Sequence, residues 1–283
     1  MSEQTAPVPA DLDPSNAEQV ASWNGSGGEY WATHAEIYER SSSGYLLPLL
    51  TAAGIVDGEA VVDVGCGTGV TTRAAAEATS AAVLGVDVSE PMLAVARQRT
   101  ADLPHVRFVH ADAQAHAFSG DAHVVLSRFG VMFFGDPVRA FTNIRSALKP
   151  GGRLAMVVWR TYPENPWGAV AVEAFAAGRT LPLPPPGAPG PFALGDPDRL
   201  RGLLTDAGWS DVTLGAEDHP MWWGPHADAA RDFQVGAAGW MLEGLDDSQR
   251  ASAIEALHAR LVELETDDGV LVPSAAWVVT ARA

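Results

Sequence analysis

Between residues 60 and 160 the chain alternates short apolar runs with amphipathic stretches. AVVDVG (60–65), AAVLGVDV (81–88), VRFVHAD (106–112), AHVVLSRF (122–129) and RLAMVVWR (153–160) predict five strands. Their nearly continuous Val, Leu and Ala content fits strands covered on both faces, as in a parallel sheet. The intervening VTTRAAAEA, SEPMLAVARQR and PVRAFTNIRSAL predict helices, with Ser89 placed as an N-cap and Pro91 in the first turn. KPGG (149–152) is expected to turn the chain into the fifth strand. Strands alternating with helices imply right-handed βαβ units, so the predicted fold class is α/β, a doubly wound Rossmann-like sheet. DVTLGAED (211–218) and AAWVVTARA (275–283) add two strands for a total of seven.

The flanks read differently. Residues 1–16 are polar and proline-bearing and are expected to be disordered. Residues 17–44 form a helical lid with Trp23, Tyr30, Trp31 and Tyr38, and 45–160 are the core. In 161–225, a proline-rich loop at 180–191 precedes a helix near DPDRLRGLLTDAG and one of the added strands. Residues 226–266 read as a cap insertion containing two helices, and 267–283 return to the core.

Composition narrows the function. Thirty-five acids stand against 18 Lys and Arg in 283 residues, a net charge of −17, which repels nucleic-acid phosphates and anionic lipid. One cysteine, Cys66, cannot form an internal disulfide. No signal-peptide pattern is visible, and the longest apolar stretch, YLLPLLTAAGIV, is too short to span a bilayer. The expectation is a soluble cytoplasmic protein with no nucleic-acid, membrane or metal partner.

Candidate chemistry lies in VVDVGCGTGVTT (61–72), where a strand runs into glycines at 65, 67 and 69. In an open α/β sheet ligands bind beyond the carboxyl ends of the strands. The spacing G-x-G-x-G, followed by Val70, departs from the dinucleotide fingerprint G-x-G-x-x-G, and no G-K-[ST] follows to make a phosphate loop. Asp87 closes the second strand 22 residues after Gly65. By position alone it fits a ribose acceptor and a solvated helix cap equally. Asp112 ends the third strand.

Gly65/Gly67/Gly69, Asp87, Asp112, LSRFGVMFF and LKPGGRL stand in the same order as in the class I S-adenosyl-L-methionine (SAM) methyltransferases of the ubiquinone/menaquinone-biosynthesis type, which residues 45–160 resemble. GGEYW, SRFGVMFF and WRTYPENPW resemble a bacterial subgroup acting on small molecules. The resemblance implies SAM as cofactor, the glycines passing under its methionine part, Asp87 on the ribose, Asp112 on the adenine amine and the Ala113 amide facing the ring. It further implies contacts from Tyr30, Trp31, Cys66, Thr68, Val88, Met92, Ser127 and Arg128. Ser127-Arg128-Phe129-Gly130 stands where DNA and glutamine amine methyltransferases carry Asn/Asp-Pro-Pro-aromatic, which argues against those substrates.

The resemblance implies methyl transfer to a small acceptor. Aromatic residues in the lid and the late insertion (Trp222, Trp223, Phe233, Trp240) point to an apolar acceptor pocket, a secondary metabolite being one class. The same segments would also serve a homodimer interface. Histidines 34 and 219 are the catalytic-base candidates, with His116, Tyr30 and Tyr38 behind them; for each histidine a purely structural role fits as well. A SAM-binding enzyme without methyl transfer and a non-catalytic SAM-binding subunit remain alternatives.

Overall fold

The computed structural model describes residues 8–180, 185 and 187–283. Its strands are β1 (Val61–Val64), β2 (Val83–Asp87), β3 (Val106–His110), β4 (Ala122–Arg128), β5 (Leu148–Trp159), β6 (Ser210–Asp218), β7 (Met221–Gly224), β8 (Glu265–Thr266), β9 (Gly269–Val272) and β10 (Ala275–Arg282). The helices are α1 (Ala17–Asn24), α2 (Ser26–Thr33), α3 (Ala35–Ser41), α4 (Leu46–Ala53), α5 (Val70–Ala78), α6 (Glu90–Arg99), α7 (Pro137–Arg145), α8 (Pro166–Ala176), α9 (Pro197–Asp206), α10 (Ala227–Ala238) and α11 (Asp247–Glu263).

Seven strands form one sheet in the order β3-β2-β1-β4-β5-β10-β6. The first five are parallel, and β10 runs against both its neighbours. Strand order reverses between β1 and β4, so their carboxyl ends open the crevice where such sheets bind ligands. Burial follows the sequence: all four residues of β1 are buried, as are Leu154 through Trp159 of β5. The Lys149–Gly152 segment lies inside β5, where the pairing with β4 shifts register and Gly151 takes φ 79°.

A second apolar core lies outside the sheet. Phe175 of α8, Trp223 of β7, Ala230 of α10 and Leu257 of α11 are buried together with Val270 and Val272 of β9. A three-stranded sheet, β7-β9-β8, completes this cap. The cap therefore draws on 166–176 and 221–272, where the sequence placed it in 226–266 alone. α8 is too short to show which core it serves, because its apolar face fits either.

The N-terminal flank differs as well. Residues 8–16, part of the segment expected to be disordered, bond to the loops that follow β3 and β4, with Asp13 and Asn16 buried. Their stabilisation is polar rather than apolar, so composition does not reveal it. The centre of the proline-rich loop, 181–184 and 186, lies outside the described residues. Among the described residues no helix is long and apolar enough to cross a membrane.

Candidate active site

The glycine turn is tied to β2 by backbone bonds. The N–H groups of Gly65 and Cys66 both donate to the Val86 carbonyl, at 2.8 and 3.2 Å. The Gly67 N–H donates to Asp87 Oδ2 at 2.7 Å, and the Ser89 N–H to Oδ1 at 2.8 Å. The glycines do different jobs. At Gly65 a Cβ would sit 2.6 Å from Gly130 Cα, so this position is bare for backbone packing. At Gly67, φ 53°, a Cβ would meet only Met92 Sδ at 3.8 Å and would project into open cavity. Gly69 does not line the cavity.

That cavity, about 600 Å³, runs from the turn to the cap and is within the usual size for a small-molecule site. Its polar end gathers Asp87, Asp112, Arg128 and Glu39. Burial raises the Asp87 pKa against the two amides that stabilise its charge. Each of its oxygens retains a lone pair for a hydroxyl donor. Asp112 faces the cavity too, yet its carboxylate is held by the N-terminal arm: Oδ1 accepts from Asn16 Nδ2 (2.8 Å) and the Gln114 N–H (2.9 Å), and Oδ2 from the Asp13 N–H (2.9 Å). The neighbouring Ala113 N–H, at the cavity wall, has no acceptor among the described residues.

The N-terminal helices α1 to α3, expected as a lid, line this end. Thr68 Oγ1 donates to Glu39 of α3 at 2.6 Å, and Arg99 pairs with the same carboxylate. Asn24 Oδ1 accepts from the Glu90 N–H at 3.1 Å, so the first turn of α6 is capped from the lid. Ser89, the expected cap, instead donates its hydroxyl to the Trp23 carbonyl at 2.7 Å. Arg128 donates to Thr71 Oγ1 (3.2 Å) and Ser42 Oγ (3.0 Å). Burial lowers its pKa, while Asp63 and Glu39 pull the other way.

The remaining sequence candidates divide. Trp31, Cys66, Val88 and Met92 line the cavity, and burial pushes the Cys66 thiol pKa up, away from reactivity. Ser127 does not line it; its hydroxyl is sealed inside the protein. Tyr30 also lies off the cavity, its hydroxyl donating to the Phe233 carbonyl of α10 at 2.9 Å where Gly236 leaves room for the ring.

Neither His34 nor His219 reaches the cavity. His34 stacks on Tyr30 at 3.9 Å and turns Nδ1 to the Tyr30 carbonyl. His219 packs edge-on against Tyr45 and over Gly44, and its carbonyl accepts from Ser274 Oγ. Its Nε2 lies 3.3 Å from Glu217 without hydrogen-bond geometry. His116 pairs with Asp11 at 2.7 Å. The structure thus uses these rings for packing and pairing. Helical and strand spacing could not show this, because the partners come from distant segments.

Toward the cap the wall turns apolar. Phe129 stacks on Trp159 at 3.9 Å, and Trp159 meets Trp167 at 5.2 Å. Phe129 holds φ 62°, an uncommon conformation for a non-glycine residue that turns the chain at the end of β4. Of the aromatic residues expected in the pocket, Trp23, Trp223, Phe233 and Trp240 line it. Trp222 faces away and carries Arg40 over its ring at 3.7 Å. Sequence reasoning missed Glu39 and Gln234, whose only signal was a polar residue on an otherwise apolar helix face.

A parallel sheet with one reversed strand, a glycine turn at the switch point and an acid closing β2 are the features of the class I SAM-dependent methyltransferase fold, in which the cofactor is SAM. Residues 61–152 match the family described as a methyltransferase domain. The demethylmenaquinone methyltransferase of Clavibacter sepedonicus is 39% identical over 113 residues, 40% of this chain and 46% of that protein. The enzyme of the same name from Renibacterium salmoninarum is 27% identical over 216 residues, 72% of this chain and 89% of the relative. Phosphoethanolamine N-methyltransferase 2 of Haemonchus contortus, solved with SAM, superposes with a TM-score of 0.57 at 18% identity, over 98% of this chain and 61% of that one. The chain thus spans under half of the Clavibacter relative.

The residues present fit that cofactor. Gly67 leaves open space that a side chain would fill, the Ala113 amide is uncommitted and Asp87 keeps acceptor capacity.

Proposed function

We propose that the protein transfers a methyl group from SAM to a small, largely apolar acceptor held between lid and cap. One observation carries the reading: a single cavity joins the glycine turn to the aromatic cap. Bound SAM supplies an activated methyl group on a sulfonium, so the protein's task is alignment and exclusion of water. Gly67 and Asp87 would seat the methionine and ribose parts, and the Ala113 amide the adenine ring. The lid, pinned through Glu39 and Asn24, keeps water from that end. Phe129, Trp159, Trp223 and Phe233 would sandwich the acceptor.

Among the described residues, no side chain lining the cavity is poised as a general base. Glu39 is shared between Thr68 and Arg99, and burial raises the Tyr38 phenol above its ordinary pKa. The acceptor must therefore present a free electron pair or lose its proton to water.

Titration calorimetry with S-adenosylhomocysteine, then mass analysis after incubation with SAM and a panel of aromatic alcohols and amines, tests this. The expected outcome is micromolar-class binding and products one methyl heavier, with equal S-adenosylhomocysteine formed. Cofactor binding without any methylated product across the panel would overturn the transfer step.

A further inference from the structure

We propose that Gln234 is the polar anchor of the acceptor site, holding one hydroxyl or carbonyl oxygen of a flat, otherwise apolar acceptor. This inference rests on the methyl-transfer reading and assigns the acceptor its chemistry. From the cap, the cavity is lined by α8, β7, α10 and the turn after it, and every side chain they contribute is apolar or an indole except Gln234. Gln234 is only 8% exposed, and its carboxamide makes no hydrogen bond among the described residues. The amide is not sealed inside the protein, and the residue lines the cavity. A buried carboxamide without a partner is costly, and a native protein keeps one where a ligand or water completes it.

Several polar groups on other walls of the cavity are already engaged, and Gln19, Tyr38, Ser41 and Asp87 belong to the N-terminal helices and the cofactor end rather than to the cap. Glu39 serves Thr68 and Arg99, Arg128 serves Thr71 and Ser42, and the Trp167 indole donates to Asn165 Oδ1 at 2.9 Å. The remaining indoles donate and never accept, whereas a carboxamide does both. Among the described residues, Gln234 is therefore the one cap side chain with an oxygen or nitrogen that can accept from an acceptor hydroxyl.

Its position is also fixed in advance. Tyr30 donates to the carbonyl of the adjacent Phe233, and Tyr38 packs edge-on against the Phe233 ring at 4.9 Å. That turn of α10 is clamped by the lid, so little ordering cost remains when the amide engages a ligand. Phe129 and Trp159, stacked on each other in the wall of the same cavity, favour a planar ring.

The test compares 1-naphthol with naphthalene, which differ by one hydroxyl. Equilibrium dialysis would measure both, with and without saturating S-adenosylhomocysteine, on wild type, Gln234→Leu and Gln234→Met. Wild type should bind 1-naphthol about tenfold more tightly, the size of one good hydrogen bond. Both variants should reduce that preference below about twofold, with naphthalene and S-adenosylhomocysteine affinities unchanged. A preference that persists in both variants, or is missing from wild type, overturns the assignment. Wild type that binds S-adenosylhomocysteine but neither aromatic overturns the acceptor class. Wild type that binds 1-naphthol through Gln234 but no S-adenosylhomocysteine sinks the methyl-transfer reading and leaves the anchor standing.

Discussion

The two ends of the cavity are built by opposite means. At the cofactor end, short turns do the work: the Ser89 and Gln114 amides bond to carboxylates two residues back, and the Gly65, Cys66 and Gly67 amides bond across to Val86 and Asp87 on the neighbouring strand. At the cap end, the wall is assembled from α8 and, after a long stretch of chain, from β7 and α10, all joined by a second apolar core. Local hydrogen bonding fixes the first geometry tightly and leaves little room for variation. Apolar packing fixes the second through volume, which tolerates change of residue identity. A fold of this kind can keep one cofactor and exchange acceptors.

The sharpest way to break the comparison is inside the glycine turn. Gly65→Val drives a side chain into the Gly130 backbone at φ 67°, so the fold itself should lose more than about 3 kcal/mol, read by denaturant unfolding. Gly67→Val meets no backbone, so beyond the strain of about 1–2 kcal/mol set by its φ of 53° it should fold. It should nonetheless weaken S-adenosylhomocysteine at least about 100-fold by calorimetry, since its side chain fills the cradle. Equal damage from both substitutions would remove the distinction between packing glycine and ligand glycine.

The difference between the ends also explains what was legible in the sequence. The five parallel strands, the turn and Asp87 announce themselves because each is a local pattern of period, glycine spacing or position. The Asp11–Asn16 arm that engages Asp112 and its amide did not, because three polar residues give no period and their partner lies about a hundred positions away. The histidines misled for the same reason. His34 and His219 stand in segments that do cover the site, but the side-chain direction depends on Tyr30 and Tyr45, which spacing does not supply. The aromatic cap was legible as a tendency; that α8 belongs to it was not.

A smaller effect sharpens the polar end. Asp63 of β1 lies fully buried beneath the turn, with Thr72 donating to one oxygen and the other unpartnered. Burial pushes its pKa up to about 6, opposed by the Thr72 bond and by Arg128. A folded pKa above the unfolded value means the native state binds the proton more tightly, so this group's contribution to stability falls as pH rises from about 4 through 6. Relative to Asp63→Asn, wild type should therefore lose about 1 kcal/mol of unfolding free energy between pH 5 and pH 7. Paired urea titrations at the two pH values read the difference. A gap that stays constant would mean that Asp63 titrates as an ordinary carboxylate.

The mildest change falls on the seam between the two ends. Tyr30 reaches from the lid to the Phe233 carbonyl, and Tyr30→Phe removes that single bond while keeping the ring against Gly236. A net hydrogen bond of this kind contributes about 0.5–1.5 kcal/mol, so global stability should move little. The cofactor contacts of Asp87 and Gly67 lie on other elements, and S-adenosylhomocysteine affinity should stay within about twofold. The clamp on α10 loosens, however, and with it the placement of Gln234. The preference for 1-naphthol over naphthalene should then fall by about threefold, less than in Gln234→Leu, because the amide is still present but less ordered. If Tyr30→Phe weakens the cofactor and leaves that preference intact, the lid belongs to the polar end alone, and the two ends are not joined through Tyr30.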